Sequence, residues 1–156
     1  MMSRRFALQK ILDLKELIVE SRAVELEKSK QDLNDKQYEL ESMQYNKSQT
    51  LVSNGDIQRS GAVLNPMQLQ LSRDYVVQLT AHIEKQVKTV AESSSRVLDQ
   101  HQALIKVNQE KRALEILRSK HLDEYKKEVQ KKERSEESEV ALRLQGSHKL
   151  SEEDPS

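Results

Sequence analysis

Apolar residues return every seventh position in two separate stretches of the chain. The first holds Leu12, Val19, Leu26, Leu33 and Leu40, and the second holds Val76, Ile83, Val90, Val97 and Leu104. A spacing of seven is two helical turns of about 3.5 residues, the signature of helices wound about one another along a narrow seam. The companion core position is weaker. It reads Ala23, Lys30, Gln37, Gln44 and Leu51 in the first stretch. In the second it begins at Leu79, passes through Gln86, Ser93 and Gln100, and recovers at Val107 and Leu114. Neither pattern makes the wide apolar stripe that a helix of a globular core presents.

The breakers set the organisation. Gly55, Gly61 and Pro66 fall close together, and Gly146 and Pro155 lie near the C-terminus. The pattern therefore predicts a first helix over 3–53 with Ser3 as its N-cap, a turn region over 54–65, a second helix over 66–145, and a disordered tail over 146–156. Asn65-Pro66-Met67-Gln68 is a start signal, with Asn at the N-cap, Pro at N1 and Gln at N3. The predicted fold is all-α: two long helices forming an antiparallel coiled-coil hairpin, the arrangement that costs least in chain closure. A turn centred near residue 59 makes facing positions sum to about 118. Leu12 then faces the region of Lys106, Leu26 that of Glu92, and Leu40 that of Gln78. The second helix is longer, so from about residue 115 it overhangs the first. Ile116, Leu117, Leu122, Tyr125 and Val129 are expected to lack a partner within the chain.

Composition agrees with an extended seam. Of 156 residues 33% are charged and 35% hydrophobic, with one Phe, four Tyr and no Trp, too little bulk for a rounded core. Lys+Arg and Asp+Glu are both 26. That balance argues against a nucleic-acid partner, whose binding draws on a basic excess. No cysteine is present, which excludes disulfides and Cys-based zinc sites. No apolar run nears the roughly 18–20 residues that cross a bilayer. The start, Met1-Met2-Ser3-Arg4-Arg5, leads into a stretch broken by Lys10, Asp13, Lys15 and Glu16, so a signal peptide is not expected. The expectation is a cytoplasmic protein without direct membrane insertion.

Catalytic chemistry has no foothold in the sequence. His82, His101, His121 and His148 include no pair at the four-residue spacing that sets two imidazoles on one helix face, and they read as exposed or seam-flanking. Carboxylates are plentiful, but acid–base work needs a pocket, and a two-helix rod offers no concavity. No phosphate-binding glycine loop occurs, so neither enzyme, metal nor cofactor is expected. Lys126-Lys127-Glu128 and Lys131-Lys132-Glu133-Arg134 read as a solvated face with both signs of charge. Ser93-Ser94-Ser95 reads as a tolerated weak point in the second helix. Tyr38 and Tyr45 share a face seven residues apart, and Tyr75 precedes the seam residue Val76. These rings either meet a partner protein or lie along neighbouring aliphatic stems, and the sequence leaves both open.

Three segments in order carry a family resemblance. Arg5-Phe6-Ala7-Leu8-Gln9-Lys10-Ile11-Leu12-Asp13-Leu14-Lys15-Glu16 resembles the "RF-x-L-x-x-L-L-x-L-K-E" start of FliJ-type flagellar export proteins. Arg73-Asp74-Tyr75-Val76-Val77-Gln78-Leu79-Thr80-Ala81-His82-Ile83 is similar to their "Y-x-x-x-L-x-x-x-I" segment. Lys111-Arg112-Ala113-Leu114-Glu115-Ile116-Leu117-Arg118, followed by Tyr125, is similar to their "K-x-R-x-x-L-E-x-L" run.

The resemblance implies a non-catalytic coiled-coil stalk and chaperone-escort subunit of the flagellar type III export apparatus, serving flagellum assembly and motility. Its implied partners are the hexameric export ATPase, the cytoplasmic domain of the export-gate protein FlhA, and export chaperones. The implied location is cytoplasmic, peripheral to the membrane-embedded apparatus. By position, Tyr75 and Leu79, with Tyr45 and Tyr38, are the expected gate contacts. Phe6, Leu8, Ile11, Leu114, Leu117 and Tyr125 are the expected ATPase contacts. Alternative readings are the equivalent stalk of a virulence type III secretion system and a structural coiled-coil tether.

Overall fold

A computed structural model describes residues 3–61 and 65–152, with only the backbone of 151–152. Two helices account for almost all of it: α1, Gln9–Arg59, and α2, Pro66–Glu152. They pack against each other as an antiparallel helical hairpin, with no strand among the described residues. By contact the chain falls into two units, one of Met1–Leu17 with Val107–Ser156 and one of Ile18–Lys106.

The start of α2 follows its sequence signal. The Met67 N–H donates to Asn65 Oδ1 at 3.0 Å and the Leu69 N–H to the Asn65 carbonyl at 3.1 Å. Asn65 thus satisfies an amide left open by the first turn, and Pro66 sits where no amide is missed. The end of α1 differs from expectation. The helix runs through Gly55 to Arg59, because one helical glycine costs only about 1 kcal/mol and Asn54 is held by a 2.8 Å hydrogen bond from Ser72 Oγ. The reversal waits for Gly61, whose φ of +65° is the left-handed cap that ends many helices. α2 likewise passes Gly146 and continues to Glu152, beyond the expected end at 145. Residues 153–156 of the expected tail lie outside the described residues.

The start of α1 is also displaced. Residues 3–8 are not helical, and Ser3 Oγ accepts from the Arg5 N–H at 3.1 Å in a local turn instead of capping the helix.

A later turn moves the register. Lys15 meets Glu110, Lys36 meets Ser93, Gln86 meets Lys36 and Glu39, and Asn54 meets Ser72. Facing positions therefore sum to about 125, not 118, as follows from α1 running to Arg59 and α2 starting at Pro66, with residues 62–64 of the expected turn region outside the described residues. Leu12 lies opposite residues near 113, not near Lys106.

Burial traces the seam. In α2 the lines 76, 83, 90, 97, 104, 111, 118, 125 and 79, 86, 93, 100, 107, 114, 121, 128 are all buried or half-buried. In α1 the line through Leu12, Val19, Leu26, Leu33 and Leu40 is shielded as expected. Its companion is not Lys30, Gln37, Gln44 and Leu51, all exposed, but Ser29, Lys36, Met43 and Thr50, one residue earlier. Counting three and four alternately from Leu26 lands on those residues. Among the described residues Leu12, Leu26 and Leu79 are the buried apolar side chains, joined by Ser93. Among the described side chains of α2 every one from 130 to 150 is exposed, so the overhang begins about fifteen residues later than the register of 118 implied.

The glycines supply a test of the turn. A Cβ at Gly55 meets nothing within 4 Å, and neither does one at Gly61. Gly55→Ala should raise stability by about 0.5–1 kcal/mol. Gly61→Ala should lower it by about 1 kcal/mol through φ alone. Urea titration followed by circular dichroism reads both, and a stabilising Gly61→Ala would misplace the reversal.

Candidate interaction surfaces

The expected contact residues sort cleanly between the two units. Tyr38, Tyr45, Tyr75 and Leu79 all belong to the unit Ile18–Lys106. Phe6, Leu8, Ile11, Leu114, Leu117 and Tyr125 all belong to the other.

In the unit Ile18–Lys106, Tyr38 and Tyr45 stand outside the seam at 75% and 64% exposure, and Tyr75 is 47% exposed. Rings this open give an otherwise charged surface apolar footholds. Leu79 differs. Expected at the surface, it is buried in the seam at 9% exposure, on the same heptad line as Gln86 and Ser93. Its period from Val107 and Leu114 already marked it as core, and position in a family segment does not override that packing.

A polar layer crosses the seam of this unit. Lys36 Nζ donates to Ser93 Oγ at 3.0 Å and to Asp32 Oδ2 at 2.8 Å. Gln86 Nε2 donates to the Lys36 carbonyl at 3.0 Å and to Glu39 Oε2 at 3.2 Å. Ser93, expected as part of a tolerated weak point, is buried and meets the lysine, whereas Ser94 and Ser95 are exposed. A buried polar pairing of this kind specifies register, since slippage strands its groups without partners.

In the unit Met1–Leu17 with Val107–Ser156, residues 3–8 fold against α2. The Phe6 ring lies 5.8 Å from His121, tilted by 47°, and His121 Nε2 is 2.8 Å from the Ser3 carbonyl. Expected as exposed or seam-flanking, His121 is half-buried on a core line and ties down the N-terminal segment. Lys15 Nζ bonds Glu110 Oε2 at 2.6 Å in the same unit. Phe6, Leu114 and Tyr125 are half-buried. Leu8, Ile11 and Leu117 are exposed, and so are Leu14 and Leu17, which the sequence reading did not single out. Both are apolar residues off the seam line, and that was the available signal. An open cleft also forms here, where a two-helix rod was expected to have no concavity. It lies between residues 4–10 and the Arg118–Leu122 stretch of α2. No carboxylate lines it.

The described residues include no cluster of three or more His, Cys, Asp or Glu suited to a metal. No helix among them is long and apolar enough to cross a membrane.

A helical hairpin with a thin seam, two sets of exposed apolar side chains and a helix that outruns its mate defines a coiled-coil interaction protein. The family model described as Flagellar FliJ protein matches residues 3–149, and the chain belongs to that family. It is therefore a flagellar export coiled-coil protein. Comparison with curated proteins and with solved structures finds no match to this chain.

Stability separates the gate candidates. Leu79→Ala should cost about 2–4 kcal/mol as a buried truncation. Tyr75→Ala, Tyr38→Ala and Tyr45→Ala should each stay within about 0.5 kcal/mol as surface changes. Urea denaturation curves of the four variants measure this, and a Leu79→Ala protein as stable as the parent would contradict the seam placement.

Proposed function

We propose that the chain is a non-catalytic stalk of the flagellar export apparatus, binding the hexameric export ATPase, the cytoplasmic domain of FlhA, and export chaperones. The observation that carries this reading is the family match over nearly the whole chain, residues 3–149. Two features of the surface support it. Exposed Tyr38, Tyr45 and Tyr75 offer aromatic contacts in one unit, and exposed Leu8, Ile11 and Leu117 offer aliphatic contacts in the other. Tyrosine is among the residues from which binding hot spots are most often made, and the exposed aliphatic side chains add apolar area to a contact. In this reading the aromatic set meets the gate and the aliphatic set meets the ATPase. The protein works in the cytoplasm, held to the membrane-embedded apparatus by these contacts. A family of flagellar description weighs against the virulence-system alternative. The tether reading would rest on the exposed Val140 and Leu144 on one face of α2, but Glu133, Glu136 and Glu137 share that face and oppose self-association.

The test is hydrolysis by the source organism's flagellar export ATPase with and without the protein, together with co-elution of the two. Stimulated hydrolysis and co-elution are expected, both reduced in Ile11→Ser/Leu117→Ser. No contact where the ATPase forms hexamers, with concentration-dependent dimerisation of the chain alone, would favour the tether.

Gate binding is tested separately. Tyr38→Ala/Tyr45→Ala/Tyr75→Ala should retain full helicity and weaken binding to the FlhA cytoplasmic domain by about ten-fold or more, as loss of aromatic hot spots does. Isothermal titration reads this, and unchanged affinity would remove the gate assignment.

A further inference from the structure

The cleft beside the N-terminal segment has an unusual lining. Arg4, Arg5 and Lys10 face it from the start of the chain and Arg118 from α2, with Phe6 and Leu122 as its apolar part, around an open volume of about 990 Å³. Four cations share this space with no lining carboxylate. None of the four takes part in an ion pair among the described residues. Ion pairs do form elsewhere in the chain, as between Lys15 and Glu110, Lys36 and Asp32, and Lys111 and Glu115. In a chain whose opposite charges are equal in number, this concentration of one sign is local, with Asp13 beside it accepting from the lining Gln9 Nε2 at 2.9 Å. The first turn of α1 carries no acidic residue either, so the positive end of the helix dipole adds to the same field.

The geometry that gathers these groups is built. The contact of Phe6 with His121, and the 2.8 Å approach of His121 Nε2 to the Ser3 carbonyl, hold residues 3–6 against α2. Arg4 and Arg5 are thereby brought to the same cleft as Arg118, more than a hundred positions away in sequence. Three of the four cations are arginine, whose forked guanidinium pairs with carboxylates two bonds at a time.

We propose that this cleft receives an acidic segment of a protein partner, one that presents carboxylates beside an apolar side chain. The inference rests on the stalk reading above and gives the chemistry of its ATPase contact. A concave site walled by two parts of the chain suits an inserted segment. A membrane surface would instead need its basic and apolar groups on one convex face. Beyond the cleft-lining Lys10 along α1, the side chains of Ile11, Leu14 and Leu17 are 45%, 55% and 63% exposed and offer additional apolar surface in the same unit. The arginines and lysine set orientation and speed of encounter, arginine can anchor the complex, and the aliphatic residues add buried apolar area.

The experiment uses the full chain and the hexameric export ATPase as probe, with affinity measured by biolayer interferometry at low and high salt. Arg4→Ala/Arg5→Ala/Arg118→Ala should weaken binding by about ten-fold or more at low salt and flatten its salt dependence. Circular dichroism confirms that the triple variant stays helical. A second variant, Lys10→Glu, leaves all three arginines in place and should weaken binding in the same direction. If the parent chain binds and both variants match it at every salt concentration, the acidic-segment proposal is overturned while the stalk reading stands. If the parent chain does not bind the ATPase at all, the stalk reading falls and takes this proposal with it. Vesicles of phosphatidylcholine with and without phosphatidylglycerol supply the other arm. Binding to the anionic vesicles that the three alanines abolish, with ATPase binding unchanged, would reassign the cleft to lipid headgroups.

Discussion

Burial of a stripe one side chain wide between two helices is the interaction on which this structure depends. Each fully covered leucine contributes about 2 kcal/mol, and among the described residues Leu12, Leu26 and Leu79 are the buried apolar ones. So small a core leaves little tolerance for slippage, because a shift along the seam exposes the leucines and buries charge in their place. The polar layer at Lys36 acts against that slippage. Its amine reaches Ser93 and Asp32, and its carbonyl accepts from Gln86, so one register satisfies every group at once. By contrast Gln100 Oε1 is buried without a hydrogen-bond partner, a local cost on the same heptad line.

The turn serves the same constraint. A hairpin register is fixed by where the chain reverses, and here α1 is followed by Gly61, the residue with positive φ, and α2 is opened by the Asn65 cap. Gly55 does not reverse the chain because its φ stays helical and Asn54 beside it is pinned to Ser72. Moving the reversal by a few residues moves every facing pair by twice as many. The cross-helix contacts consequently follow a sum near 125, and the leucines of α1 fall between successive core residues of α2.

What could be read from the sequence divides along physical lines. The sevens of Leu12 to Leu40 and of Val76 to Leu104 are apolar and local, so they announced both helices, and Asn65-Pro66 announced the second start. Ser29, Lys36 and Thr50 were missed as seam residues because they are polar, and only their spacing from Leu26 gives them away. The extent of α1 was misread because glycine was weighed as a breaker when its helical cost is small. The fold of residues 3–8 onto His121 could not be read, since it joins groups more than a hundred positions apart. Of the expected contact residues, Tyr38, Tyr45, Tyr75, Ile11 and Leu117 are exposed. Leu79 is not, and its heptad phase was the better guide than its place in a family segment.

A thin seam has a further consequence for where function can lie. Such a hairpin uses its apolar residues sparingly, so each large one placed off the seam lowers solubility without adding to the core. Ile11, Leu14 and Leu17 carry that cost, as do Tyr38 and Tyr45. The overhang shows the same logic in a different form. From 130 to 150 no described side chain is shielded, and Val140 and Leu144 share their face with Glu133, Glu136 and Glu137. Carboxylates set into an apolar stripe are poor at pairing with a copy of themselves, because like charges would meet near the centre of an antiparallel pair. Interrupted in this way, the stripe is a weaker candidate for self-association than the aliphatic set of Ile11, Leu14 and Leu17.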